Sequence, residues 1–191
     1  MATLIAVTTA CQSDYTRLVK AELAKGIRRD SVLLGINLGD TRQDFYGRCF
    51  DLNKQHLIMP GSGGNTVQYI FTDSVIHKVP QEIKLEFVPA FDDKDVITNI
   101  DMKFSYSGWA PWNTHLQSDS LEVNLKQLIM KWYGGNDFVM ASEGDKEIPV
   151  KVDGNRRLVL FKSDPQNVVV HVQDILHPKF SHTLDGGKKL E

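Results

Sequence analysis

The chain has 191 residues, a length that fits one domain or two very small ones. Apolar residues make up 41% and charged residues 24% of it, which is the balance of a folded globular protein and excludes global disorder. With 22 basic and 24 acidic residues the net charge is −2, so there is no positive excess to neutralise a phosphate backbone. Nucleic acid is therefore excluded as a main partner.

The first residues resemble the end of a bacterial lipoprotein signal peptide. An uncharged, mostly apolar stretch at 4–10 ends in the small residue Ala10, Cys11 follows, and the chain turns polar at Gln12. In such signals the cysteine is lipidated and becomes the mature N-terminus. The resemblance implies that 1–11 is a signal remnant, with Cys11 lipidated and the protein anchored in the cell envelope or periplasm. The alternative is a cytoplasmic protein with a strand at 3–9 and a buried Cys11.

A first helix is predicted from Asp14 to Lys25. Ser13 or Asp14 can cap its N-terminus, and Gly26 supplies a left-handed stop. Its apolar residues recur at helical spacing and lie on one face, which predicts that this face packs against a core.

A second helix is predicted from about Thr41 to Lys54, with Asp40 as its cap and Gln43 reaching back to it. Phe45, Cys49 and Leu52 fall on one face of this helix. Cys49 is therefore assigned to the core and not to chemistry.

The segment Leu38-Gly39-Asp40-Thr41-Arg42-Gln43-Asp44-Phe45 resembles the start of the second helix in the fold shared by BamE-type outer-membrane lipoproteins and the β-lactamase-inhibitor protein. Gly39 and Thr41 fit the pattern, whereas Leu52-Asn53-Lys54 stands where a Gly-x-Pro often ends that helix. The match covers 12–105 and implies a helix-helix-sheet fold and a periplasmic location, with no functional residue assigned. As a whole the chain is similar to uncharacterised lipoproteins of Bacteroidota-type bacteria.

The later sequence consists of short β-type runs joined by turns. Eight strands are predicted, at His56–Met59, Thr66–Phe71, Glu82–Val88, Ile97–Tyr106, Asp137–Ala141, Ile148–Val152, Arg157–Lys162 and Val168–Val172. The third and fourth runs alternate apolar and polar residues and form the best-supported hairpin. Strands joined by short turns must be antiparallel, because a parallel neighbour needs a long crossover.

A third helix is predicted after Gln117, with Asp119 and Glu122 as a capping box and Gly134 as its stop. Its apolar stripe consists of Leu121, Leu125, Leu128, Ile129 and Trp132. The sequence therefore predicts an α+β fold with three helices packed on a largely antiparallel sheet. We expect a single domain at 12–182, followed by a flexible tail at 183–191. Within this domain, the order of the elements also allows two similar halves of one helix region and four strands each, at 12–116 and 117–182.

The loop from Ser107 to His115 is the most unusual local feature because it carries two of the three tryptophans, Trp109 and Trp112. Tryptophan combines a large, stiff surface with a polar N–H group and is favoured at binding surfaces. One hypothesis is a recognition loop in which Asn113 and His115 make hydrogen bonds. The favoured interpretation is that both tryptophans plug the end of the core, because large aromatic side chains are usually buried.

The remaining inventory indicates no catalytic site. None of the six histidines pairs with another at a metal-binding spacing, so no metal or cofactor is predicted and solvated or singly bonded histidines are expected. No nucleotide-binding or serine-nucleophile motif occurs. Arg28-Arg29 and Arg156-Arg157 are interpreted as solvated basic pairs, and Asp92-Asp93-Lys94-Asp95 as a polar turn.

These observations favour a non-enzymatic binding domain that recognises a protein, a glycan or another envelope component. No apolar run reaches the 18 residues of a membrane span, so a lipid at Cys11 would be the anchor. The alternative function is a small hydrolase or metal-dependent enzyme whose histidines and aspartates converge only in the fold, with His77 or His171 as the candidates.

Overall fold

The computed structural model describes residues 13–73, 80–182 and Leu184. The proposed signal remnant with Cys11, the candidate His77 and the tail apart from Leu184 lie outside the described residues. The structure therefore does not test the predictions made for these segments.

The described residues form three α-helices and ten strands, which confirms the α+β class. The helices are α1 (Asp14–Ala24), α2 (Arg42–Lys54) and α3 (Ser118–Tyr133). The strands are β1 (Ser31–Leu33), β2 (Ile36–Asn37), β3 (Ile58–Pro60), β4 (Val67–Asp73), β5 (Gln81–Phe91), β6 (Ile97–Tyr106), β7 (Val139–Glu143), β8 (Lys146–Asp153), β9 (Arg156–Lys162) and β10 (Val168–Asp174).

Eight strands form one antiparallel sheet in the order β3-β4-β5-β6-β10-β9-β8-β7. The order consists of two four-strand meanders, each preceded in the chain by a helix, α2 for β3–β6 and α3 for β7–β10. They meet where β6 pairs with β10, with Met102 opposite Val170. The predicted hairpin of β5 and β6 is confirmed, with Phe87 opposite Met102.

Both faces of the sheet carry helices. The larger core joins α3 and Phe45 of α2 to one face, through Leu158 and Leu160 of β9 among others. A second core lies on the opposite face, where Tyr15 and Val19 of α1 pack with the β7–β9 strands, including Val159. Successive residues of a strand point to opposite faces, so β9 serves both cores.

The helix ends differ in part from the sequence prediction. Of the two predicted caps of α1, Ser13 and Asp14, the structure has Ser13, whose side chain accepts the amide N–H of Thr16 at 3.1 Å. In α2 the cap is Thr41, which forms a capping box with Asp44, and not Asp40 with Gln43. The carboxylate of Asp40 instead accepts the amide N–H of Asn37 at 2.7 Å, so it stabilises the turn before the helix.

The predicted capping box of α3 is wrong. The N-cap is Gln117, whose side chain makes no capping hydrogen bond. Asp119 instead forms an ion pair with Lys162, and Glu122 accepts a hydrogen bond from Lys126 at 2.7 Å. The two acidic side chains therefore bind lysines, Lys162 at the end of β9 and Lys126 in the next turn of α3, and do not cap the helix.

The β1–β2 hairpin was not predicted. Its two-residue turn places Leu34 and Gly35 at φ of +51° and +79°, which hairpin turns of this kind require. Arg48 Nε of α2 donates to the Leu34 carbonyl oxygen at 2.7 Å. Leucine is not a residue that indicates a turn, so the sequence does not indicate this hairpin. Tertiary contacts such as the Arg48 hydrogen bond hold Leu34 in its left-handed conformation.

Candidate functional site

The predicted Trp109–His115 loop connects the end of β6 to α3. Ser107 donates its amide N–H to the Glu82 carbonyl oxygen at 2.9 Å, which continues the β5–β6 pairing into the loop. A short 3-10 turn at Thr114–Leu116 then leads into α3, and Leu116 is buried in the larger core. The loop is therefore attached to the rigid sheet at one end and to a core residue at the other.

Gln117 holds the loop in one conformation. Its side-chain oxygen accepts the indole N–H of Trp109 at 3.1 Å. Its side-chain nitrogen donates to the carbonyl oxygens of Ala110 at 2.9 Å and Asn113 at 3.1 Å. One side chain thus crosslinks both arms of the loop, and it makes no capping hydrogen bond to α3 although Gln117 is the N-cap residue.

The two tryptophans have different environments. Trp109 is half-buried against Gln117, whereas Trp112 at the tip of the loop is 85% exposed. The interpretation that both plug the core is therefore wrong for Trp112. Asn113 is half-buried and His115 is exposed, so the tip presents an apolar ring beside polar groups.

The fold brings histidines next to carboxylates that are distant in sequence: His177 Nε2 lies 3.8 Å from Asp92 Oδ2, and a closer pair is formed by His171 and Asp101. His171 Nδ1 lies 2.6 Å from Asp101 Oδ1, on neighbouring strands β10 and β6. Asn99 Nδ2 donates to the same oxygen at 3.2 Å. The hydrogen bond with His171 lowers the pKa of Asp101 below its ordinary value, although burial acts against it.

The neighbours of this pair across the sheet are apolar. Val88 lies opposite Asp101, and Val159 lies opposite His171. The Phe161 ring lies 5.2 Å from the imidazole, measured between centroids. The arrangement can hold a proton between a carboxylate and an imidazole, but these cross-strand positions supply neither a nucleophile nor a further titratable group.

Cys49 is half-buried on the inner side of α2, in agreement with its assignment to the core. Burial raises the pKa of its thiol to about 11, so the reactive thiolate is scarce at neutral pH. Within the described ranges, no three His, Cys, Asp or Glu side chains are grouped as metal ligands.

A group of charged and polar side chains that the sequence did not predict lies at the β8–β9 turn. We call it the Arg156 cluster, and it consists of Glu22, Asn136, Lys151, Asp153 and Arg156. Four of the five are buried, and Lys151 has no exposed surface. Lys151 Nζ lies 2.7 Å from Asp153 Oδ2, and Arg156 donates to the carbonyl oxygen of Ser31. The interpretation of Arg156-Arg157 as a solvated pair is wrong, since each is 3% exposed.

Glu22 connects α1 to this cluster. It accepts the amide N–H of Gly154 at 2.9 Å and the side-chain N–H of Asn136 at 2.7 Å. Burial by itself would raise the pKa of Glu22, but hydrogen bonds from Lys25, Gly154 and Asn136 outweigh it and the pKa is lowered. The carboxylate is therefore charged at neutral pH and fastens α1 to the sheet.

An aromatic cavity of about 280 Å³ lies between β1 and the end of α3. Its walls include Tyr69, Trp132 and Tyr133, and Phe71 stacks behind Tyr69 with a centroid distance of 5.3 Å. Trp132 was predicted to continue the core stripe of α3, but its side chain is 38% exposed at this cavity. The Tyr133 hydroxyl donates to the Val32 carbonyl oxygen at 2.5 Å and closes one side.

Among residues 13–73 and 80–182, no helix combines the length and apolar character needed to cross a bilayer. Comparison with known proteins finds no matching family model, no matching curated protein and no matching solved structure.

Proposed function

We propose that this protein is a non-enzymatic binding module whose Trp109–His115 loop docks onto a partner protein of the cell envelope. The observation that carries the proposal is Trp112, an indole 85% exposed on a loop that Gln117 holds in place. Tryptophan is enriched among the few residues that supply most of the binding energy at protein interfaces. An apolar ring of this size gains free energy when a partner covers it.

The fixed loop favours a protein interface for an energetic reason. Binding must overcome the entropy lost when side chains and loops are ordered. The hydrogen bonds of Gln117 have already ordered the loop backbone, so little further ordering is needed. Asn113 and His115 beside the indole then supply the polar rim that commonly surrounds an apolar anchor.

The test is capture of partners from the envelope of the native host. Immobilised wild-type protein, Trp112→Ala and Phe50→Ala are each exposed to solubilised envelope proteins and, separately, to protein-free envelope glycans. Phe50 is a matched control, because it is an aromatic residue 61% exposed on α2. We expect one protein retained by the wild type and Phe50→Ala and lost by Trp112→Ala, with unchanged thermal unfolding of all three.

Two results would contradict the proposal. Equal retention by Trp112→Ala would remove the loop from the interface. Retention of a glycan that depends on Trp112, with no protein partner, would assign the loop to carbohydrate stacking.

The envelope location rests on the resemblance around Cys11. Only Gln12 and Ser13 separate this cysteine from α1, so lipidation would hold the folded part within about 10 Å of the anchor point. Radiolabelled palmitate should be incorporated by the full-length gene product in its host and not by Cys11→Ser. An unlabelled wild-type protein found in the cytosol would disprove the anchor.

A second candidate function, a small hydrolase, is supported by the Asp101–His171 hydrogen bond alone. In that case His171 would act as a general base on water, oriented by Asp101. Hydrolysis of p-nitrophenyl acetate that exceeds the background and is lost in both His171→Ala and Asp101→Asn would support it. A rate that is the same in the variants would eliminate it.

A further inference from the structure

A small cavity of about 200 Å³ opens at the β8–β9 turn, beside the Arg156 cluster. The end of α1, the segment that leads to β1 and the end of α3 meet there, contributing among others Lys25, Arg29 and Tyr133. The volume accommodates several water molecules, each of which occupies roughly 30 Å³ in the liquid. The cavity is therefore large enough for a small polar group.

The charges around this cavity do not balance. Of the two acidic lining residues, Glu22 forms an ion pair with Lys25, and Asp153 lies 2.7 Å from Lys151 and 3.6 Å from Arg156. Together with Arg29, which also lines the cavity, the four cationic side chains face two carboxylates, so two positive charges are in excess.

Two further carboxylates that contact the segment leading to β1 do not restore the balance. Asp30 and Asp174 are both bound by Arg28, at 2.9 and 3.1 Å. For the guanidinium of Arg29, no ion pair is found among the residues that the structure describes.

Arg156 has an unused hydrogen-bond donor in this environment. Its side chain is 4% exposed, and its guanidinium lies 4.0 Å above the Tyr133 ring and donates to the Ser31 carbonyl oxygen. The buried Nε–H has no acceptor among the described residues. A buried donor without an acceptor is costly, so a ligand that accepts from it gains that free energy on binding.

The electrostatics agree with the geometry. Burial lowers the pKa of Arg156, and the nearby positive charge of Arg29 lowers it further, while Tyr133 and Asp153 act in the opposite direction. An anion between the two arginines would relieve their repulsion. Guanidinium groups are suited to this, because their planar donors match the oxygens of carboxylates and phosphates.

We propose that the cavity beside the Arg156 cluster binds the oxyanion group, carboxylate or phosphate, of a small ligand between Arg29 and Arg156. This site is independent of the Trp109–His115 loop. It is built by residues of the end of α1, the segment that leads to β1, the end of α3 and the β8–β9 turn, so its occupation also stabilises the junction of these elements.

The proposal is tested by isothermal titration calorimetry with inorganic phosphate and with acetate, at constant ionic strength in chloride buffer. Arg29→Gln removes one arm of the site at an exposed position. Arg17→Gln is the matched control, an exposed arginine on α1 whose partner is Asp14. We expect Arg29→Gln to weaken binding of the preferred anion at least tenfold and the control to change it less than twofold.

The Arg156 Nε–H resonance supplies a second readout in the wild-type protein, and it remains usable even if Arg156→Gln fails to fold. We expect this resonance to shift in proportion to the bound fraction measured by calorimetry. A saturable response to phosphate alone identifies a phosphate group, and one to acetate identifies a carboxylate. No saturable heat with either anion, an unmoved Nε–H resonance, or equal weakening in both variants would overturn the proposal.

Discussion

At the scale of single residues, the Arg156 cluster shows how much depends on a few close contacts. Gly135 has φ of +75°, and a Cβ added there would lie 2.2 Å from Asp153 Oδ1. The same Asp153 oxygen accepts the amide N–H of Asn136 at 2.9 Å. Glycine at 135 is what allows the chain after α3 to approach this carboxylate.

Gly135→Ala is therefore expected to lower the free energy of unfolding by roughly 2–3 kcal/mol, through left-handed strain and the contact with Asp153. Gly144→Ala is the matched control, since Gly144 has φ of +61° and open space around the added carbon. It should cost about 1 kcal/mol from backbone conformation alone. Urea unfolding of both variants measures the difference, and equal losses would show that the contact with Asp153 is unimportant.

Glu22 gives the fold a dependence on pH whose sign follows from its lowered pKa. A carboxylate whose pKa is lowered in the folded state stabilises the fold at pH values above its ordinary pKa of 4.5. This stabilisation is lost as the pH falls through the lowered pKa. Glu22→Gln should therefore be less stable than the wild type at neutral pH, and the gap should narrow on acidification below 4.5. Urea unfolding across this range tests it, with Glu143→Gln at an exposed position as the matched control. A gap that widens in acid would contradict the assignment.

At the scale of elements, the helices show which sequence signals hold and which are replaced by tertiary contacts. The apolar faces of α1 and α3 and the alternation in β5 and β6 were predicted, because burial imposes these periods directly. The capping box of α3 was not realised, since Asp119 found Lys162 on a neighbouring strand. A capping pattern is short enough to arise by chance, and its residues have other partners in the fold.

The two capping patterns should respond differently to substitution. Thr41→Ala removes both the side-chain acceptor for Asp44 N–H and the hydroxyl that donates to the Asp44 carboxylate, so it should cost about 1 kcal/mol of unfolding free energy. Asp119→Ala removes only an ion pair in which Asp119 is 80% exposed. The Asp119→Ala substitution should lower the free energy of unfolding by no more than about 0.5 kcal/mol, because exposed ion pairs are screened by solvent. Comparable losses in thermal or urea unfolding would mean that Asp119 also caps α3.

At the scale of the whole molecule, the sequence predicts where the eight strands of the large sheet lie but not their order in the sheet. Residue patterns give strand positions, and short turns give antiparallel neighbours, but the β6–β10 pairing joins segments far apart in the chain. The same distance explains why the Arg156 cluster was missed: Glu22, Asn136 and Arg156 meet only after the sheet is complete. The sequence indicates the Trp109–His115 loop because its unusual residues are contiguous. It does not indicate that Trp112 is exposed, because the loop conformation is held by the hydrogen bonds of Gln117.

The central position of β10 predicts its protection from hydrogen exchange. It is paired on both sides and carries Val168, Val170 and Val172 with no exposed surface, whereas β3 and β7 are the edges of the sheet. Amides of β6 and β10 should exchange only through global unfolding, and those of β3 and β7 through local opening at lower free energy. Hydrogen exchange followed by NMR over a urea series separates the two classes. Edge amides as slow as those of β10 would contradict this ordering.

The pairing of β6 with β10 also has a consequence for synthesis on the ribosome. About 60 residues separate the end of β6 from the start of β10, so several seconds of translation pass before the partner strand exists. During that interval the first meander is complete but carries an unpaired inner strand, and such an edge can pair with another chain. We therefore expect the protein to need shielding, or a delay in its own folding, until its last strand has emerged.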